Sequence, residues 1–439
     1  MMLCPLHDRD GNPRTLSTIE FNDFAQLEVV EEGYTVEYKS AWDEDVKRKL
    51  PKIVTSFANA NGGWLFVGIK NDGTYSGISR ARSDFDQTIA QIVRRHVTPL
   101  PRFETRFIEG PNSELGVLVV EIVEGVEPPY IADGCVYIRV GSSSEKFVSK
   151  ADSYVLIDLY RKARSNRDQI EQFCHRTVYL PPTRIGEGKN EGGIPIINVY
   201  LKHLYPNRRI SRSFADSDDE ERIMLRYISE YYKDYVCHRA HDSLIFRSSL
   251  GNHVDNVGPV IELFFDGSIK LSIPLVLFQS EQREEAIVRL QSLRSIQNVD
   301  LVDVIDGSSS RNSVMMFSYF VDEYIAEKER DLSDYALCFE YENMQGAFVE
   351  FKTEAYSEYV KNNGFPFIAT VDERSEPFIP ERVCDGGGMQ LTRAVWIRFL
   401  DGLGLPASTA DPEKRKALDD VLGFSESNKE ELNGRNSSR

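Results

Sequence analysis

The stretch "SFANANGGWLFVGIKNDG" (residues 56–73) runs a helix-forming segment into Asn and a glycine pair, and an apolar strand follows directly into Asn-Asp-Gly. Few patterns restrict a fold so closely. Asn59 and Asn61 stand at the helix end, and Gly62-Gly63 tolerate φ above zero, so the chain can reverse sharply into the strand. That turn lays the helix against a sheet containing Trp64, Phe66 and Ile69. The strand itself is apolar on both faces, as a central strand is. Its far end carries Lys70, Asn71 and Asp72 to the edge where "VEYK" (36–39) also emerges.

The neighbouring segments complete an α+β unit. Residues 1–15 read as a loose leader. "TVEYKSAW" alternates as a strand, with Val36 and Tyr38 on one face and Glu37 and Lys39 on the other. "DEDVKRKLPKIVTSFANA" reads as a helix with an acidic first turn, in which Pro51 marks a kink or the start of the second half. "SDFDQTIAQIVRRHV" is a second helix, striped by Phe85, Ile89, Ile92 and Val93 and capped by Ser83. Three strands, "RFETRFIE", "LGVLVVEIVE" and "CVYIRVG", and a helix around "KADSYVLIDLYRKAR" close the unit.

The expected layout is a leader and first strand over 1–29, an α+β domain over 30–165 and a linker over 166–195. A second α+β domain follows over 196–405, then a disordered tail over 406–439. In the second domain, "DDEERIMLRYISEYYKDYV" and "SEQREEAIVRLQSLRSIQ" read as helices. "VIELFFDGSIKLSIPLVLF" reads as a hairpin turning at Asp266-Gly267, and strands recur around 335–352.

The chain of 439 residues carries a net charge of −17, which argues against a generic nucleic-acid coat. The excess is uneven: residues 1–165 hold twenty basic residues against twenty-four acidic, so −13 of the total falls on the rest. The N-terminal part is therefore the better place for an anionic ligand. No apolar run reaches the length of a membrane span, the N-terminus lacks the pattern of a secretion signal, and the six cysteines are scattered; a cytoplasmic chain with reduced thiols is expected.

Together, "VEYK", a helix ending "FANANGG", "WLFVGIKNDG…SG" and "VYIRVGSSS", in that order, resemble the Schlafen AlbA-like domain, also described as a divergent ATP-binding or DNA-binding module. The resemblance spans about residues 30–160 and implies a mixed sheet with packed helices and a nucleic-acid partner, RNA favoured over DNA. It further implies a catalytic set of Glu32, Glu37, Lys39 and Asp72. Glu32, Glu37, Asn71 and Asp72 would hold Mg or Mn, since converging carboxylates bind a hard divalent cation that can activate water against a phosphodiester. The third position departs from the family's nucleases: Gly68-Ile69-Lys70-Asn71 stands where Gly-Val-Asp-Asp is frequent, with Asp72 one residue late. Asp72 either reaches inward or shapes the turn with Gly73. Read from the residues alone, Glu37 and Lys39 are better explained by an exposed cross-strand ion pair, and the resemblance reverses that preference.

Arg139, Ser142, Ser143 and Ser144 are candidates to hold phosphate oxygens, although a turn and a helix cap explain that segment equally. Lys47, Lys49 and Lys52, with Arg48, form the densest basic cluster and the candidate nucleic-acid surface, and a solvated helix face explains them nearly as well. "CHRAH" sets Cys237, His238 and His241 within one helical turn, and "CDGGGMQ" (384–390) reads as a plain loop. The motifs of P-loop nucleotide hydrolysis, serine hydrolases and zinc peptidases are absent. The readings are a nucleic-acid-binding protein with metal-dependent endoribonuclease activity, a non-catalytic DNA- or nucleotide-binding regulatory module, or a protein-interaction scaffold. A protein partner through the C-terminal domain and a homo-oligomer are compatible with all three.

Overall fold

The structure, a computed structural model, describes residues 4–79, 84–111, 115–140, 148–175, 195–205, 214–249, 258–278, 280–293, 304–328, 330–344, 347–363, 373–380 and 390–402. It divides into two units, Met1–Gln169 and Ile170–Arg439. Both mix helices and sheets, as the sequence predicts. No described helix is long and apolar enough to cross a membrane.

The first unit runs β1 (Val36–Lys39), α1 (Glu44–Ala58), β2 (Gly63–Val67), β3 (Ile78–Ser79), α2 (Phe85–His96), β4 (Val97–Thr98), β5 (Phe103–Glu109), β6 (Leu115–Ile122), β7 (Ile131–Ala132), β8 (Cys135–Arg139), β9 (Val148–Lys150) and most of α3 (Ser153–Cys174), whose residues from Ile170 onward belong to the second unit. Its main sheet is mixed. β1 pairs parallel with β2, and β2, β3 and β5 each pair antiparallel with β6. A smaller sheet joins β4, β7, β8 and β9. One face of the main sheet, with Leu65, Val67, Leu118 and Val120, packs beneath Leu50, Val54 and Phe57 of α1 and Ile89 and Val93 of α2.

The opposite face corrects the reading of the leader. Cys4, Leu6, Leu16, Ile19, Phe24 and Leu27 are buried against Tyr38, Trp64, Phe66, Val117 and Val119. The leader is thus a second cover, built partly from 3-10 turns at Leu16–Thr18 and Phe21–Val29, and not a loose arm with a strand. Arg106 ties it down, donating to the carbonyls of Leu16, Ser17 and Ile19 at 2.8, 2.6 and 3.0 Å. The physical reason is that β6 is apolar on both sides, and a bare apolar face would be left to water.

Further local expectations are refined. Helix α1 runs unbroken through the buried Pro51, so no second start occurs there. Its cap is Asp43, which accepts from Val46 N–H at 2.9 Å. Asp84 caps α2 in the same manner, accepting from Gln87 N–H; Ser83, the expected cap, lies outside the described residues. Helix α3 continues to Cys174, so the first residues of the expected linker are helical. Residues 176–194, and the expected tail at 406–439, lie outside the described residues.

The second unit runs β10 (Ile196–His203), α4 (Phe214–Ser229), β11 (Tyr235–Arg239), β12 (Ser243–Ser248), β13 (Val260–Phe264), β14 (Ile269–Pro274), α5 (Ser280–Leu293), β15 (Val304–Asp306), α6 (Gly307–Glu327), β16 (Tyr335–Glu342), β17 (Phe348–Glu350), α7 (Glu354–Asn363), β18 (Glu373–Arg374) and α8 (Gln390–Gly402). Seven antiparallel strands are ordered β11-β12-β13-β14-β10-β16-β18. The hairpin of β13 and β14 turns at Gly267 with φ +88°, as the Asp-Gly pair predicts. Met224, Phe317, Phe320, Val321 and Phe399 of α4, α6 and α8 fill the core against the sheet.

One helix is shorter than expected. It stops at Ser229, because the rings of Tyr232 and Tyr235 pack on Phe317 with centroids 5.1 and 5.4 Å away, and the chain then enters β11. Cys237 and His238 accordingly lie on a strand, which removes the helical spacing of "CHRAH". Residues 384–389 of "CDGGGMQ" lie outside the described residues.

Candidate functional site

The opening stretch folds as its glycines require. Gly62 adopts φ +81° at the end of α1, and a Cβ at Gly63 would stand 2.2 Å from the Phe57 ring and 2.8 Å from the Thr35 carbonyl. Asn59 does more than end the helix. Its Nδ2 donates to the carbonyls of Tyr130 and Tyr137 at 2.8 and 2.9 Å, and its Oδ1 accepts from Tyr130 N–H at 2.7 Å. This buried amide joins α1 to the small sheet, whose strand β8 ends in Arg139.

Arg139 meets β1 at the site. Glu37 and Lys39 share the sheet face of Leu65 and Val67, opposite Val36 and Tyr38. The Glu37 carboxylate accepts from Lys39 Nζ on Oε1 at 2.7 Å and from Arg139 Nη1 on Oε2 at 2.7 Å. Glu32 accepts Tyr38 N–H at 2.7 Å and lies 3.6 Å from Lys39 Nζ. The result is a chain of alternating charge, Glu32–Lys39–Glu37–Arg139. Burial alone would raise the Glu37 carboxyl, but the Lys39 ammonium and then the Arg139 guanidinium outweigh it and hold the group below its ordinary value of 4.5.

Arg139 is fully enclosed, its side chain 0% exposed. It donates to the carbonyls of Gly33 and Val36, and its guanidinium lies 4.3 Å from the Phe57 ring centroid. In this arrangement it faces the fold and not a phosphate. Ser142, Ser143 and Ser144, the other candidates of that segment, lie outside the described residues.

Asp72 takes the second of its two options. Its Oδ1 accepts from Thr74 N–H at 3.0 Å and Thr74 Oγ1 at 2.6 Å, contacts that chiefly lower its pKa. Gly73, at φ +80°, closes the turn, and a Cβ there would stand 2.1 Å from the Leu27 carbonyl oxygen. Asn71 is exposed on the same turn. The structure therefore brings together Glu32, Glu37, Lys39 and Arg139, and holds Asp72 in its own turn.

The donor set as it stands is occupied by protein cations. Both Glu37 oxygens are engaged by cations, and among the described residues no three His, Cys, Asp or Glu side chains form a group that could hold a metal ion. A hard cation needs several convergent oxygens.

The basic cluster lies on α1. Lys47 pairs with Glu44 at 2.7 Å, Arg48 and Lys49 both pair with Asp45, and Lys52 Nζ lies 5.1 Å from the Tyr137 ring centroid. Exposed pairs of this kind are worth about 0–1 kcal/mol, so a phosphate can displace their carboxylates at little cost. At the end of α2, Arg94 and Arg95 are exposed, and His96 Nδ1 lies 2.7 Å from Asp133.

These elements coincide with a known family over part of the chain. Residues 32–148 match the family model Schlafen, AlbA_2. The remainder of the chain matches no family model. For residues 32–148 that match suggests interaction with nucleic acid. No curated protein matches the sequence. A crystal structure of the DIP2311 protein from Corynebacterium diphtheriae shares 20% identity over 27% of this chain, with a TM-score of 0.21. The match spans only 26% of that protein's chain.

Proposed function

We propose that the Schlafen domain binds the phosphate backbone of nucleic acid, with RNA the class its family resemblance favours, and that Glu37 is an internal anchor and not a metal ligand. The observation that carries this reading is the chain Glu32–Lys39–Glu37–Arg139, in which both oxygens of the central carboxylate are already held by cations. Phosphate contact falls to the outer face of α1, where Lys47, Lys49 and Lys52 have only weak competitors. The basic side chains position the strand without reading its sequence.

Titration of the full chain with labelled RNA and DNA at rising salt tests this. Three phosphates neutralised on α1 contribute about −2 to −3 to the log–log salt slope, an affinity loss of at least roughly tenfold between about 50 and 200 mM. Charge reversal at Lys47, Lys49 and Lys52 should weaken binding to every sequence and flatten that slope. Binding that ignores both salt and charge reversal would overturn the proposal.

A further inference from the structure

Helix α3 carries large apolar side chains on a second face, besides the half-buried Val155 and Leu156 and the buried Leu159. Leu159 is buried and Asn166 donates to the Val126 carbonyl at 2.8 Å, so that side faces the domain. The opposite side carries Tyr154, Ile157 and Tyr160, which are 79%, 48% and 62% exposed. A surface helix ordinarily turns such residues inward. Arg161, Arg164 and Arg167 extend the same arc and are also exposed.

The charge around the stripe departs from the rest of the molecule. Residues 150–167 hold five basic residues, Lys150, Arg161, Lys162, Arg164 and Arg167, against Asp152 and Asp158, a net of +3 in a chain of −17. Two tyrosine rings beside three arginines combine a stacking platform with a phosphate clamp. From Tyr154 to Arg167 the arc extends about 20 Å, which suits the short end of single-stranded site sizes, about four nucleotides.

We propose that this aromatic and arginine face of α3, outside the residues matched to the family, is a docking surface for single-stranded nucleic acid, with bases stacked on Tyr154 and Tyr160 and phosphates held by the arginines. This rests on the nucleic-acid reading above and deepens it. Duplex offers no free base face to the tyrosines, so the stripe confers a preference for single strands.

The test uses the full chain with a labelled oligouridylate and an RNA duplex of the same length. Tyr154→Ser with Tyr160→Ser should weaken oligouridylate binding about 30-fold or more and leave duplex binding within about twofold, with an unchanged melting temperature because both side chains are exposed. Arg161→Gln with Arg164→Gln should lower the salt slope by about 1.5. Equal losses for both ligands, or none for either, would overturn the inference. A variant that passes from dimer to monomer while its RNA affinity is unchanged would identify the stripe as a seam between copies, and would also overturn it. If RNA affinity responds to charge reversal on α1 but not to the stripe variants, only this inference falls; if the wild type binds no nucleic acid, both readings fall.

Discussion

Glu37→Ala is expected to destabilise the first unit by about 3 kcal/mol, a fall in Tm of roughly 10 °C for a unit of this size. The reason is the enclosed Arg139 guanidinium, which loses the one carboxylate that pairs with it among the described residues and is left as an uncompensated charge in the interior. Lys39 is one-fifth exposed and can turn to water or to Glu32, so its loss counts for less. The effect should depend on pH with a definite sign. Because the folded state holds the Glu37 carboxyl below 4.5, its contribution is present in full above that pH and is lost as pH falls through the lowered value. Melting wild type and Glu37→Gln side by side from neutral to acid pH should show the gap between them close below pH 4.5. A gap that stays constant would mean that the charge of Glu37 is not what stabilises the unit.

Asn59→Ala is expected to cost about 3 kcal/mol as well, since it strands the Tyr130 and Tyr137 carbonyls and the Tyr130 N–H in a buried place. Asn59→Asp separates hydrogen bonding from packing. It is nearly isosteric, yet it points a carboxylate at two carbonyl oxygens, so chemical denaturation should find it at least as unstable as Asn59→Ala. A benign Asn59→Asp would show that shape alone matters at this helix end. The same amide positions β8, and through it Arg139, so both variants should also loosen the ion chain on β1.

Local chemistry made much of the fold legible. The glycine pair after α1, the strand that follows and the Asp-Gly hairpin of the second unit all declare themselves within a few residues, because φ preference and side-chain alternation act at that range. The site was legible only in part. "VEYK" identifies Glu37 and Lys39, but nothing local assigns Arg139 to Glu37, from which it is 102 residues distant. The Asn59 partners lie 71 and 78 residues away, and neither carries a sequence signal, since both are backbone groups. The leader was misread because Cys4, Leu6 and Leu16 are scattered among turn residues with no helical or strand period. A usable clue lay elsewhere: "LGVLVVEI" is apolar on both faces, and a sheet with two apolar faces needs two covers.

The most direct test of the account is cleavage, measured on structured RNA and single-stranded DNA with Mn²⁺, Mg²⁺ or chelator, using wild type, Glu37→Gln and Asn71→Asp. The account predicts that all three bind, that none cuts in a metal-dependent manner, and that Glu37→Gln binds as well as wild type at temperatures where it remains folded, since removing a carboxylate does not weaken phosphate attraction. Metal-dependent cleavage by wild type that disappears in Glu37→Gln while the folded protein still binds RNA, and that rises in Asn71→Asp, would contradict it and make Glu37 a metal ligand.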